Sequence, residues 1–323
     1  MNILLTGAAG FIGSNLLGHL LEKGNFVIGV DNFNDFYNPK IKRLNIESYL
    51  TNENFHLAEG DITDQNFLED VFSSWGIDAI IHLAAWAGVT TSFNKPFLYS
   101  NVNVIGTVHL LEMAAKHKVF DFILASSSSV YANSKRIPFK ENFEIASRPV
   151  SIYAATKKSD EVIAYTYSSY YGIKVSCLRF FNAYGPRQRP DMAAPTFLKK
   201  IYMGNPLPLY QDPNTSRDYT YIDDICAGVI SSLENRFDYE IFNLGNSKPV
   251  KLGELVSAIE KVVGKKADIK RMPERRGEVE KTFADITKAK KMLGYNPKTT
   301  LEEGIRKTYK WFLATPKWYK DLP

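Results

Sequence analysis

Cysteine is nearly absent from this chain: of 323 residues only Cys177 and Cys226 carry a thiol. Two thiols in apolar stretches supply neither a disulfide framework nor zinc-ligand spacing, so both are expected as reduced core residues of a cytoplasmic protein. Histidine is scarce as well, with 5 in the chain, and no His/Cys/Asp cluster suggests a metal. No apolar run reaches the roughly 20 residues that cross a bilayer. The apolar opening lacks the basic leader of a signal peptide and reads instead as strand, turn and helix. Internal repeats, low-complexity linkers and long single-sign charge runs are missing too. The balance of 40 Lys+Arg against 35 Asp+Glu gives a net charge of +5, too mild and too dispersed for a nucleic-acid arm but compatible with a small anionic substrate.

What is present is alternation. Strands are expected at Asn2–Thr6, Phe26–Asp31, Phe55–Glu59, Ala79–Leu83, Phe120–Ser126 and Lys174–Phe180, with helical stretches between them, notably Pro96–Lys116 and Ser151–Tyr171. This is the pattern of an α/β, Rossmann-type, doubly wound parallel sheet. After Phe181 the chain turns rich in Pro, Arg and Gly up to Asp218, with a helix near Pro195–Met203. Tyr221–Leu233 reads as another helix and Glu240–Leu244 as a late strand rejoining the sheet. The division expected is a nucleotide-binding domain over 1–180, rejoined by 220–250, and a smaller mixed α/β cap made of 181–219 and 251–323.

The first strand runs into Gly7-Ala8-Ala9-Gly10-Phe11-Ile12-Gly13 and then an amphipathic stretch from Ser14 to Lys23. Gly7 and Gly10 permit a tight turn and close backbone approach to a phosphate, Gly13 lets helix pack on strand, and the helix N-terminus favours a pyrophosphate. Following a first strand, this spacing points to a dinucleotide. Asp31 closes the second strand, where a carboxylate accepts hydrogen bonds from an adenosine ribose and repels a 2′-phosphate, favouring NAD over NADP.

Farther along stands Tyr153-Ala154-Ala155-Thr156-Lys157-Lys158. A Tyr and a Lys four apart on a helix share one face, one turn apart. An ammonium roughly 5 Å from a phenol, at an effective dielectric of about 20, stabilises the phenolate by ~3 kcal/mol. A phenol assisted in this way can act as a general acid or base.

These segments, with Asp61-Ile62, His82–Ala85, Asn101–Gly106, Ser126–Tyr131, Arg179–Pro186 and Arg217–Asp224, resemble the extended short-chain dehydrogenase/reductases over essentially the whole chain, and among them the nucleotide-sugar 4-epimerases. Asp31–Arg43, Tyr153–Lys158 and Arg187–Ala193 most resemble UDP-glucuronate 4-epimerases. The resemblance implies bound NAD, which takes a hydride from C4 of a UDP-hexose and returns it to the other face of a 4-keto intermediate. Tyr153 would be base and then acid, with Lys157 beside it and Ser127 as the third member; Ser126 and Ser128 stay open as alternatives. It implies cofactor contacts from Gly7, Gly10, Phe11, Ile12, Gly13, Asp31, Asn32, Asp61, Ile62, Leu83, Ala84, Ala85, Asn103 and Phe180. His82 reads as structural.

Dehydratases of this group resemble T-D-E-V-Y-G where this chain has Ser127-Ser128-Ser129-Val130-Tyr131, and serines cannot replace a carboxylate pair as general acid and base. Decarboxylases keep a Glu at the place of Ser129. A glucuronate oxidised at C4 is a β-keto acid, so an epimerase must hold its carboxylate, and a guanidinium fork suits that task. Arg189 is the candidate, with Ser128 and Ser129 assisting and pairing with Asp191 as the alternative. Two departures stand out. Asn182 occupies a place where glucuronate-specific relatives often have Thr, and Ala132 replaces a usual Gly. Arg217 and Arg276, with Arg275 as alternative, resemble diphosphate-binding arginines. By the same analogy Pro96–Lys116 and Ser151–Tyr171 would form a four-helix bundle in a homodimer. UDP-glucose and UDP-N-acetylglucosamine epimerases, and a sensor without turnover, are the competing readings.

Overall fold

The computed structural model describes residues 1–131, 134, 136–142, 149–210, 212–273 and 281–322. Seven parallel strands form one sheet. They are β1 (Asn2–Thr6), β2 (Phe26–Asp31), β3 (Phe55–Glu59), β4 (Ala79–His82), β5 (Asp121–Ser127), β6 (Lys174–Phe180) and β7 (Tyr239–Leu244), in the order β7-β6-β5-β4-β1-β2-β3. Apolar runs fit this arrangement because a parallel sheet is covered on both faces. Successive side chains of β1 alternate between the layers. Ile3 and Leu5 pack with Leu16, Leu17 and Leu20 of α1 (Phe11–Glu22), whereas Leu4 packs with Ile80 and with Leu110 and Leu111 from the opposite layer. The strand order reverses between β1 and β4, and in doubly wound sheets ligands bind in the crevice at that point.

Chain order then gives α2 (Pro39–Ile46), α3 (Gln65–Ser74), α4 (Gly106–His117) and α5 (Ile152–Tyr171). The long helix expected over Pro96–Lys116 is interrupted. A short helix, Pro96–Tyr99, passes into a wider, π-type turn over Ser100–Ile105 before α4 begins. Such an insertion re-aims side chains within a helix, and here it carries Asn103. Helix α5 starts where the Ser151 hydroxyl accepts from the Ala154 N–H at 3.0 Å and ends at Gly172, whose φ of 70° suits the left-handed cap.

Beyond β6 the chain forms α6 (Ala193–Met203), α7 (Ile222–Glu234), α8 (Leu252–Val263), α9 (Thr287–Leu293) and α10 (Leu301–Ala314). Helix α7 returns to the α1 side of the sheet, and β7 pairs with β6 in parallel, Phe242 opposite Leu178. Helix α8 packs between α6 and α10. Two-residue and three-residue ladders lace this region together: Ser216–Arg217 runs antiparallel to Val250–Lys251, and Leu207–Leu209 runs parallel to Ile269–Arg271.

Candidate active site

A cavity of about 590 Å³ opens at the carboxyl ends of the strands. Its floor begins with the glycine turn. Gly7 has φ +69°, and a Cβ there would meet the Ala84 amide nitrogen at 2.8 Å; a Cβ on Gly13 would lie 2.1 Å from the Gly7 carbonyl oxygen. The chain closes on itself here as only glycine allows, leaving a backbone cradle at the start of α1. Phe11 and Ile12 line the same cradle, and Leu83, Ala84 and Ala85 form the wall opposite.

Asp31 reaches into this turn. Its carboxylate accepts from the Ala9 and Phe33 N–H groups at 3.1 and 2.9 Å, and Lys42 Nζ stands 3.9 Å away. Burial raises its pKa, with Lys42 and the two N–H groups opposing. Asn32 donates to Asp61 at 2.6 Å, while the Thr63 N–H and hydroxyl bind the other Asp61 oxygen. Burial works against ionisation of Asp61, yet these hydrogen bonds outweigh it and hold its pKa low. Ile62 and Phe180 line the cavity as well.

Tyr153, Lys157 and Ser127 line one cavity with the glycine turn. The Tyr153 ring stands edge-on to Tyr99, centroids 6.4 Å apart, and the Tyr99 hydroxyl donates to the Ala87 carbonyl at 2.9 Å. Lys157 is buried and donates to Asp160 Oδ2 at 3.2 Å. Ser127 ends β5 and its Oγ accepts from the Ser129 N–H at 3.1 Å. The neighbouring Ser126 hydroxyl turns away and donates to Glu161 at 2.6 Å.

Asn103 does not line the cavity. Its side chain is wholly buried, exchanging hydrogen bonds with the Trp86 backbone at 2.8 and 3.0 Å and donating to the Thr156 hydroxyl at 3.0 Å. Thr156 in turn donates to the Tyr153 carbonyl at 2.9 Å. The π-type turn thus carries an Asn103 side chain that is bonded to Thr156, near the start of α5. His82 is structural, as expected. It lies between the Thr6 and Thr107 hydroxyls at 2.7 and 3.0 Å, and burial, with Lys157 nearby, drives its pKa well down, so the ring is neutral.

Ser128, Ser129, Asn182, Arg189 and Arg217 line the same cavity. Both arms of the Arg189 fork hold Asp191, Nε to Oδ1 at 3.1 Å and Nη2 to Oδ2 at 3.0 Å, and the guanidinium lies 4.6 Å from the centre of the Phe36 ring. Asn182 accepts from the Thr282 hydroxyl at 3.1 Å. Arg275, Arg276 and Ala132 fall outside the described residues. The Ser129 hydroxyl, the Tyr37 hydroxyl and Gln188 Oε1 are buried cavity-lining atoms without a hydrogen-bond partner among the described residues.

Sequence reasoning passed over several contributors. Lys42, Phe36 and Gln188 reach the cavity from a helix face, a loop and a turn whose positions no local periodicity reports. The support beneath Ser127 was also missed. Arg179 grips Glu161 through Nε and Nη2, both at 2.7 Å, and donates to the Tyr131 hydroxyl at 2.6 Å; that hydroxyl donates to Asn243 at 2.7 Å. Burial opposes the Glu161 charge, but the Arg179 hydrogen bonds prevail and lower its pKa. The i+8 and i+26 spacing of Glu161 and Arg179 from Tyr153 was the available signal, and only the adjacency of β5, β6 and α5 gives it meaning.

Comparisons with known proteins agree with this geometry. A UDP-glucuronate 4-epimerase of Thermodesulfobacterium geofontis is 42% identical over 309 residues, 95% of each chain. The crystal structure of a UDP-glucuronic acid 4-epimerase from Bacillus cereus, in complex with UDP-glucuronic acid and NAD, superposes with a TM-score of 0.89 at 36% identity, covering 97% of this chain and 99% of that one. A UDP-glucose 4-epimerase of Thermotoga maritima with UDP-glucose also gives 0.89, at 34% identity and with the same coverage. Residues 4–308 match the family described as GDP-mannose 4,6 dehydratase, and the chain belongs to that family of extended short-chain dehydrogenases/reductases.

Proposed function

We propose that the protein is an NAD-dependent UDP-sugar 4-epimerase that converts UDP-glucuronate and UDP-galacturonate into each other. The observation that carries this reading is one cavity lined together by the glycine turn, the Tyr153–Lys157 pair, Ser127, Ser128, Ser129 and Arg189, with no carboxylate at 127–129. The absence of that carboxylate pair argues against dehydration, whatever the family's description.

The residues fit NAD. The backbone cradle from Gly7 to Gly13 would hold its pyrophosphate and Asp31 its adenosine ribose; Asp61 and Ile62 would hold the adenine, and Lys157 the nicotinamide ribose. Bound there, NAD supplies a reversible hydride acceptor for C4. Tyr153 takes the proton of the 4-hydroxyl as C4 is oxidised, with Ser127 shortening the path, and returns it after the 4-keto sugar has turned over in the cavity. Arg217 binds the diphosphate; Arg276 is assigned the same role. Arg189, Ser128 and Ser129 hold the carboxylate so that the C5–C6 bond lies off the axis of the carbonyl π system, which suppresses loss of CO₂.

A second reading, a UDP-glucose or UDP-N-acetylglucosamine 4-epimerase, draws support from Asn182 and from the Asp191 carboxylate that occupies the Arg189 fork. Purified protein with NAD and each UDP-sugar in turn, followed by proton NMR, distinguishes them. Conversion of UDP-glucuronate without UDP-xylose supports the first reading; conversion of neutral sugars alone overturns it. Tyr153→Phe should abolish turnover while preserving NAD binding, and retained turnover would refute the tyrosine base.

We also infer a homodimer through the short helix at Pro96–Tyr99, its π-type extension and α5. Phe97 is 90% exposed and Tyr170 81%, and Ile105, Val162 and Tyr165 on the same elements are exposed too. Light scattering near the 36.6 kDa of one chain would remove this assignment. Two buried thiols and no described helix long and apolar enough to cross a membrane accord with a cytoplasmic location.

A further inference from the structure

The buried face of α5 carries a charge that the mechanism above does not use. Asp160 is 0% exposed, and its only cationic hydrogen-bond donor among the described residues is Lys157, at 3.2 Å. Its second oxygen, Oδ1, has no hydrogen-bond partner among them. The groups that face it leave Lys157 as its counter-charge. On the same helix, Glu161 is saturated by Arg179, Ser126 and Lys158. From α4, Thr107 lies close, but its hydroxyl proton goes to the Asn103 carbonyl. From β4, His82 is neutral, and from β6, Cys177 is a buried thiol whose pKa burial pushes up.

Lys157 is therefore not the lone cation that the Tyr–Lys spacing suggests. One turn from Tyr153 stands an ammonium, and about two turns away stands the carboxylate bound to it. We propose that Asp160 is a positioning residue that fixes Lys157 on the Tyr153 side of α5 and offsets part of its charge, and so sets the lower pH limit at which the Tyr153–Lys157 pair turns over substrate. This rests on the reading of that pair as the catalytic acid and base. Burial, opposed by Lys157, pushes the Asp160 carboxyl up to about 6, so the offset is in force at neutral pH. A unit charge at roughly 10 Å, with an effective dielectric of about 20, moves a titration by on the order of one pH unit.

The test is the pH profile of kcat and kcat/KM, with NAD affinity measured alongside by calorimetry, for the intact enzyme, Asp160→Asn and Tyr153→Phe. Asn keeps the size of the side chain and an acceptor for Lys157 but removes the charge. The acid limb of Asp160→Asn should move to lower pH by on the order of one unit, with NAD affinity and KM little changed. An unmoved acid limb, with kcat lowered equally at every pH, would overturn the proposal and leave Asp160 a structural partner. If the Asn variant does not fold, Asp160→Ala reads the same limb; failure of both to fold would likewise assign the pair to structure alone. Full turnover by Tyr153→Phe would instead sink the catalytic reading itself.

Discussion

Replacing Glu161 by Gln tests the buried support beneath the serine cluster. The Glu161 carboxylate accepts four charge-assisted or hydroxyl hydrogen bonds: Arg179 Nε and Nη2 at 2.7 Å each, Ser126 Oγ at 2.6 Å and Lys158 Nζ at 3.1 Å. Arg179 and Glu161 are 2% and 1% exposed, so no water relieves either charge. Gln keeps the shape but turns an NH₂ toward donors of Arg179 or Lys158 and leaves the guanidinium without its counter-charge. Removing one partner of a buried pair costs about 3–5 kcal/mol. For a chain of 323 residues that corresponds to a melting temperature lower by roughly 4–7 °C. Calorimetry in the presence and absence of NAD measures it. Replacing both members, Glu161→Met with Arg179→Met, removes the two charges together and should recover most of the loss, because well-packed apolar side chains often match a buried ion pair. The single variant should also show lower kcat, since Ser126 adjoins Ser127. A single-variant loss under about 1 kcal/mol, or a double variant worse than the single, would refute the argument that an uncompensated buried charge is the cost.

Other perturbations reach the remaining parts. Gly13→Ala puts a methyl 2.1 Å from the Gly7 carbonyl oxygen, so NAD affinity should fall at least tenfold, or about 1.4 kcal/mol, by calorimetric titration. Asp160, with a folded-state pKa of about 6 against about 3.9 unfolded, keeps in the native state a proton that the unfolded chain releases. Its stabilising contribution is complete below about pH 4 and is lost as pH rises through 6, a slope near −1 kcal/mol per pH unit around pH 5 that Asp160→Asn should flatten in urea titrations. Asp191→Asn frees the Arg189 fork from a half-exposed partner, worth up to about 1 kcal/mol. KM for UDP-glucuronate should then fall by a few fold while that for UDP-glucose stays put.

The sequence by itself determined the sheet. Runs such as Ile3–Leu5 and Phe26–Val30 are apolar on both faces, which suits strands covered on both sides, and the expected bounds Asn2–Thr6 and Phe26–Asp31 are those observed. The glycine turn and the Tyr153–Lys157 spacing were legible for the same reason: each is a local constraint, written in neighbouring residues. The tertiary structure decided everything that depends on distant segments meeting. The break in the helix expected over Pro96–Lys116 carries Asn103, whose side chain bonds the Trp86 backbone and Thr156 of α5, a meeting that no local pattern reports. Arg189 met Asp191 and Phe36, the latter from a loop more than a hundred residues earlier. Glu161 and Arg179 form one buried pair only because β5, β6 and α5 adjoin, and Asp160 meets Lys157 away from water only because α5 turns its charged face inward. Periodicity reports which face of a helix is apolar. It carries no record of a buried face held together by paired charges, since the compensation for such burial comes from side chains that only the fold brings within reach.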